Sequence, residues 1–231
     1  MSNPLVTYTL EDKTAVVVMD DGKANALGTT MMTELLAALA RAEKEASAIV
    51  LAGRAERFCA GFDLRAMMSG RDAAIATLRQ GVDVLLGFYG TPLPLVIACT
   101  GHALAGGALL ALTGDLRLGA AGPFKVGLNE VAIGLPVPLL AMEFARDRLS
   151  KRALTRATLL ATIYTPADAV DAGYLDGVVA ASDLLARAKE EAARLGALSP
   201  MAYRATKELL RRPTIERIRA GLDADLARFN G

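Results

Sequence analysis

The chain of 231 residues holds one histidine and two cysteines, Cys59 and Cys99, both in apolar surroundings. So few soft ligands exclude a disulfide framework, a thiolate metal site and histidine-rich metal centres, and they fit a reducing compartment. Charge of one sign is also missing: 26 basic residues against 25 acidic ones leave a formal net charge of +1. Nothing in that balance draws the protein to nucleic acid or to an anionic membrane. No apolar run approaches the ~18–20 residues needed to span a bilayer. The opening Met1–Thr7 has neither a basic region nor an apolar signal core, so a cytoplasmic location is expected. The chain also lacks a G-x-G-x-x-G order and a Gly-Lys-Ser/Thr phosphate loop. What it has in excess is apolar residues, at 53%. That is high for a soluble monomer and predicts a large core plus subunit interfaces.

Read in order, Leu5–Thr9 and Thr14–Met19 form a hairpin around Glu11-Asp12-Lys13. A polar loop through Lys23-Ala24-Asn25-Ala26-Leu27 leads to a helix with Met32, Leu35, Leu36 and Leu39 on one face. Ala48–Leu51 and Leu93–Cys99 read as buried strands, with a helix over Asp72–Leu86 between them. Leu116–Gly119 and Phe124–Gly127 read as short strands. Helices follow over Val137–Arg146, Lys151–Leu160, Pro166–Ala172, Ala181–Leu195, Pro200–Arg211 and Thr214–Phe229. Strands alternating with helices up to residue 130, then helices alone, predict an α/β core with a helical tail.

The stretch Gly101–Asp115, GHALAGGALLALTGD, organises the rest. A buried strand turns through Gly106-Gly107 into a helix, which leaves backbone N–H groups free at its start. Such a turn suits an anion, or an oxygen that becomes one during a reaction. His102 falls in this turn and reads as a structural histidine. Asp63 and Asp115 read as acids that hold their turns by accepting backbone N–H bonds. Cys59 has no histidine base in sequence and is not read as a nucleophile.

Three blocks in order carry a resemblance: Phe58-Cys59-Ala60-Gly61-Phe62-Asp63-Leu64, then Gly101–Asp115, then Gly127-Leu128-Asn129-Glu130-Val131-Ala132-Ile133-Gly134. Together they resemble the crotonase superfamily, the enoyl-CoA hydratase/isomerase family, over essentially the whole chain. The resemblance implies a spiral of ββα units over residues 1–195 and a helical C-terminal oligomerisation region over 196–231. It implies trimers or pairs of trimers, an acyl-CoA thioester as substrate, and no cofactor or metal beyond the substrate's own CoA. It also places the two amides that grip the thioester carbonyl at Phe62 and Gly106. Ala60, Gly61 and Gly107 flank those amides. Ala24, Ala26 and Leu27 would lie along the adenine and pantetheine channel, and Lys23, Arg57 and Lys207 would meet the CoA phosphates.

Carboxylates separate the family's reactions. Hydration of a double bond needs one acid to orient and deprotonate water and another group to deliver a proton to carbon. Family hydratases carry a glutamate three residues after the second glycine; here that position is Leu109. The second acid is present as Glu130. One carboxylate suffices to move a proton from C2 to C4 of a 3-enoyl-CoA, and the GLNE block resembles the Δ3,Δ2-enoyl-CoA isomerases. The expectation is therefore an isomerase. The alternatives are a hydratase or other crotonase-type lyase or thioesterase recruiting another acid, and an acyl-CoA-binding oligomer without catalysis.

Overall fold

Val6–Glu11 (β1) and Thr14–Met19 (β2) pair antiparallel, from Val6 opposite Met19 to Glu11 opposite Thr14. Asp12 and Lys13 take up the reversal with positive φ. The structure is a computed structural model and describes residues 3–228. Thr29–Glu45 (α1) buries Met32, Leu35 and Leu39 at helical spacing. Ala48–Ala52 (β3) then runs parallel to β2 and is buried along its whole length. Leu95–Cys99 (β5), Leu116–Ala120 (β7) and Gly177–Val179 (β9) extend the sheet in the order β1-β2-β3-β5-β7-β9. Parallel strands covered on both faces have no wet side to mark with polar residues, which is why β3 and β5 read as unbroken apolar runs.

A second sheet is stacked on this progression. Glu56–Cys59 (β4), Gly101–Leu104 (β6) and Val126–Gly127 (β8) pair in parallel, in the order β4-β6-β8. The large-sheet strands β3, β5 and β7 are thus each followed by a small-sheet strand. Leu64–Met68 (α2) and Arg71–Gly90 (α3) follow β4. Gly106–Leu112 (α4) follows β6, and a 3-10 turn at Val131–Ile133 precedes Leu139–Arg148 (α5) after β8. Three successive ββα units form the expected spiral. The main core fills the space between the large sheet and α1, α3, α4 and α5. On the sheet's other face, Leu184–Gly196 (α8) lays Leu184, Ala188 and Ala192 on Ala48, Val50, Val96 and Ala98.

Several readings shift. Gly101–Leu104, read as a turn, is a strand, and β4 and β9 were not foreseen as strands. The strand expected over Phe124–Gly127 is two residues long, and α8 begins at Leu184 rather than Ala181. Lys151–Thr158 (α6) and Pro166–Ala172 (α7) lie where expected. The two helices expected on either side of Pro213 are one, Pro200–Arg228 (α9); Phe229 lies outside the described residues. A proline inside a helix leaves the carbonyl four residues back without its N–H partner. That residue is Leu209, 66% exposed, where water can take over the bond. α9 packs on α3 and α5 of its own chain.

Candidate active site

The same junction, the exit from the small sheet, supplies one site element in each of the three units. Phe62 comes three residues after β4, Gly106 two after β6 and Glu130 three after β8. Parallel pairing of these strands sets the three exits side by side, so residues from distant parts of the sequence converge on one cavity of about 430 Å³. Phe62, Gly106, Leu109, Asn129, Glu130 and Pro138 are among its walls.

The first junction is held from behind by the loop before α1. Asn25, fully buried at a positive φ, donates from Nδ2 to the carbonyls of Met19, Arg57 and Phe58 at 3.0–3.1 Å. The Ala60 N–H donates to Ala24 O, the Leu27 N–H to Gly61 O, and the Asp63 N–H to Leu27 O. This zipper engages the amides on either side of Phe62 and passes over Phe62 itself. At the second junction Ala105 holds φ 48° and ψ −122°, a backbone conformation costly for a side-chain-bearing residue. It is anchored by its N–H to Gly127 O, and it re-aims the next amide, that of Gly106. Among the described residues neither the Phe62 nor the Gly106 amide has an acceptor within the chain. Gly61, at φ +100°, lets the two junctions touch: a Cβ there would lie 3.2 Å from Gly106 N. Two free backbone donors at the wall of one cavity are the hardware for binding a carbonyl oxygen that gains charge.

Glu130 is 7% exposed, and its Oε2 is buried with no hydrogen-bond partner. Burial away from any cation raises its pKa above the ordinary glutamate range. Leu109 (2% exposed), Leu135, Pro136 and Pro138 give this acid an apolar setting. The cavity's other carboxylate, Asp63, is at the half-exposed rim and is already committed, accepting the Arg65 N–H at 2.9 Å to cap α2.

Other expected contacts sort differently. Ala26, Ala60 and Leu109 line the cavity. Leu27 does not: its side chain is fully buried in the core, and its backbone holds the Gly61–Asp63 loop. Ala24 likewise acts through its carbonyl, and Gly61 through its backbone. Gly107 is a packing position, since a Cβ there would collide with the Cys59 carbonyl of β4. Lys207 does not reach this cavity. It is buried against the core, its ammonium taken by Asp115 Oδ2 at 2.6 Å and Leu93 O at 2.9 Å. Lys23 and Arg57 stand on the surface away from the cavity wall, and the Arg57 guanidinium donates to Glu56 O. Arg65 brings a guanidinium to the rim instead, and Asn129 and Leu78 join the wall. Leu78 falls within Met67–Leu86, the stretch the sequence offers as the variable wall of the acyl pocket, and Asn129 within the third block; Arg65 was not singled out, because nothing in its spacing marks it.

His102 is satisfied within β6, its Nδ1 accepting the Lys125 N–H at 3.0 Å. Asp115 accepts the Leu95 N–H as expected. Burial pushes the Cys59 thiol up to about 12, which keeps it inert. Among the described residues no group of three or more His, Cys, Asp or Glu side chains is arranged to hold a metal ion. No helix among the described residues is long and apolar enough to cross a membrane.

The family model for enoyl-CoA hydratase/isomerase matches residues 10–230. Human enoyl-CoA delta isomerase 1, mitochondrial, is 32% identical over 220 residues, covering 93% of this chain and 73% of the human one. A probable enoyl-CoA hydratase of Rhodobacter capsulatus is 38% identical over 122 residues, 52% of this chain and 48% of its own. Among solved structures, the Mycobacterium tuberculosis enoyl-CoA isomerase superposes with a TM-score of 0.93 at 39% identity, covering 97% of this chain and 98% of that one.

Proposed function

The chain belongs to the enoyl-CoA hydratase/isomerase family, and from that premise we propose that it is a Δ3,Δ2-enoyl-CoA isomerase with Glu130 as its only acid/base. The thioester carbonyl of a 3-enoyl-CoA accepts hydrogen bonds from the Phe62 and Gly106 amides. The Glu130 carboxylate removes a proton from C2, which is acidified by both the thioester and the C3–C4 double bond. The electron pair delocalises into a dienolate whose oxygen rests on the two amides; each such donor typically contributes ~3 kcal/mol of transition-state stabilisation. The Glu130 carboxyl then delivers its proton to C4, the double bond settles between C2 and C3, and the base is regenerated. A group that is base in one half of the cycle and acid in the next works best with a pKa near the operating pH, and burial moves Glu130 in that direction.

The observation that carries this reading is Leu109 in the wall where a second acid would be needed. A leucine can neither orient nor deprotonate water. Asp63 is the specific observation favouring hydration, as a second carboxylate at the cavity rim, but its role as a helix cap argues against it. A binder without catalysis has no use for an unpartnered buried acid, which stands against that alternative. Exposed Leu159, Leu160, Leu209 and Leu210 support assembly into trimers or pairs of trimers. The test is to incubate purified protein with 3-hexenoyl-CoA and with 2-hexenoyl-CoA. Conversion of the first without hydration of the second is expected; hydration at a comparable rate overturns the isomerase assignment.

A further inference from the structure

The catalytic cavity has a neighbour. Phe62, Leu78, Leu109 and Pro138 also wall a second, almost wholly apolar pocket on their far side. Its remaining walls come from Val82 and Leu85 of α3, Leu139 and Leu140 of α5, and Ile218, Leu222, Asp225 and Leu226 of α9. The four shared residues put it directly beside the cavity proposed to hold the acyl-CoA. Yet it is narrow, about 30 Å³ against about 430 Å³ for the catalytic cavity. As it stands it offers an acyl chain far less room than the cavity beside it.

Two features keep it closed. The Phe62 ring is wedged between glycines: a Cβ on Gly81 would collide with the ring's Cε1, and one on Gly106 would lie 3.1 Å from its Cδ2 and Cε2. Any other residue at 81 would push the ring out of that notch. The α9 wall is fixed by polar clamps on both sides of its apolar residues. Asp225 Oδ2 accepts the Leu139 N–H at 2.8 Å and caps α5, Arg217 Nε donates to Glu143 Oε2 at 2.6 Å, and Arg79 pairs with Asp223 at 2.7 Å. At Gly221 a Cβ would collide with Leu139, so α9 approaches α5 as closely as a helix can.

We propose that the Phe62 ring and the α9 residues Ile218 and Leu222 form the end wall of the acyl pocket and restrict the substrate to short-chain enoyl-CoA thioesters. The inference rests on the proposed function, since it takes this cavity to hold an acyl-CoA. Dispersion contacts along a fitted chain reward each methylene that finds room and penalise each that does not. Discrimination by one methylene in such a pocket is roughly 10–200-fold.

The experiment compares hexanoyl-CoA with decanoyl-CoA by calorimetric affinity, and 3-hexenoyl-CoA with 3-decenoyl-CoA by kcat/KM. Both comparisons use the full chain and its Leu222→Ala and Ile218→Ala variants. The wild type is expected to favour the six-carbon member by at least about tenfold. Each truncation should lower that ratio about fivefold or more, by enlarging the closed pocket. Equal preference for both lengths in the wild type overturns the proposal, as does an unchanged ratio in either folded variant. Binding of the saturated thioesters requires no reaction. If the protein isomerises nothing, the affinity ratio still tests the wall; if it isomerises both lengths equally, the wall fails and the isomerase stands.

Discussion

Asp115 is half-buried and Glu130 buried, and the protein treats the two acids in opposite ways. Asp115 accepts from Leu95 N, from Lys207 Nζ at 2.6 Å and from Arg211 Nη2 at 3.3 Å. Arg211, 2% exposed, extends the network to Asp147 at 3.0 Å and lies 4.2 Å over the Tyr89 ring. There every carboxylate is answered by a cation, and α9 is joined to the core through it. Glu130 has no cation and an idle Oε2. An acid matched on all sides holds structure. A buried acid left unmatched at a cavity wall is available to the substrate, and its raised pKa is the trace of that availability.

The sharpest way to break the contrast is to neutralise each acid in turn. Glu130→Gln should lower turnover of 3-hexenoyl-CoA by about 10²–10⁴-fold, the usual worth of a positioned acid/base, while the protein still folds and binds acyl-CoA. Its unfolding profile should also change with pH. The folded state holds the Glu130 proton more tightly than the unfolded chain does. Wild-type stability is therefore fullest below the ordinary glutamate range and falls as pH rises through the raised value. Glu130→Gln escapes that fall, so its advantage in a thermal melt should appear near neutral pH and vanish at pH 4. A glutamine variant that turned over normally would remove Glu130 from the mechanism.

Asp115→Ala should do the reverse. It leaves Lys207 buried with only Leu93 O, and removing one partner of a buried pair typically costs about 3–5 kcal/mol. Urea denaturation should register that loss, with α9 as the element that loosens. The folded fraction should still isomerise. Retention of full stability would mean the network contributes nothing to seating the helix.

These two acids also mark what a sequence can disclose. Glu130 and the amides of Phe62 and Gly106 were legible because backbone geometry leaves glycines as its trace, and because a carboxylate at a fixed place in a block is visible as a letter. Lys207 was not, since its partner Asp115 lies 92 residues away and only the folded chain brings them together. The same holds for the Gly81 notch beneath Phe62, and for Arg65 at the rim. β6 was hidden by its brevity: four residues with a histidine among them carry too little alternation to announce a strand. Pro213 misled for a physical reason, because an exposed turn tolerates the lost bond that an interior turn would not.

A further consequence separates the acids by pH. The proposed mechanism requires ionised Glu130 in the free enzyme, so the acid limb of kcat/KM should lie above the ordinary carboxylate range. Asp115→Asn should leave that limb in place, because its charge is spent on Lys207 and Arg211. A limb at pH 4 would mean that Glu130 is better solvated during turnover than its burial implies.

The smallest effect is the most informative about the wall. Leu109→Glu puts a second carboxyl into the cavity at a site only 2% exposed. Two acids sharing a poorly solvated space raise each other's pKa, so one should carry a proton at neutral pH while the other does not. That is the division of labour water addition requires, one group orienting and deprotonating water, the other supplying a proton to carbon. Hydration of 2-hexenoyl-CoA should rise from none to a slow but measurable rate, and isomerisation should fall as Glu130 loses its apolar setting. Stability should fall too, since a carboxyl replaces a packed leucine. If the variant folds, binds hexanoyl-CoA and still adds no water, then absence of a second acid is not what restrains the wild type, and the residue at 109 does not set the choice between the two reactions.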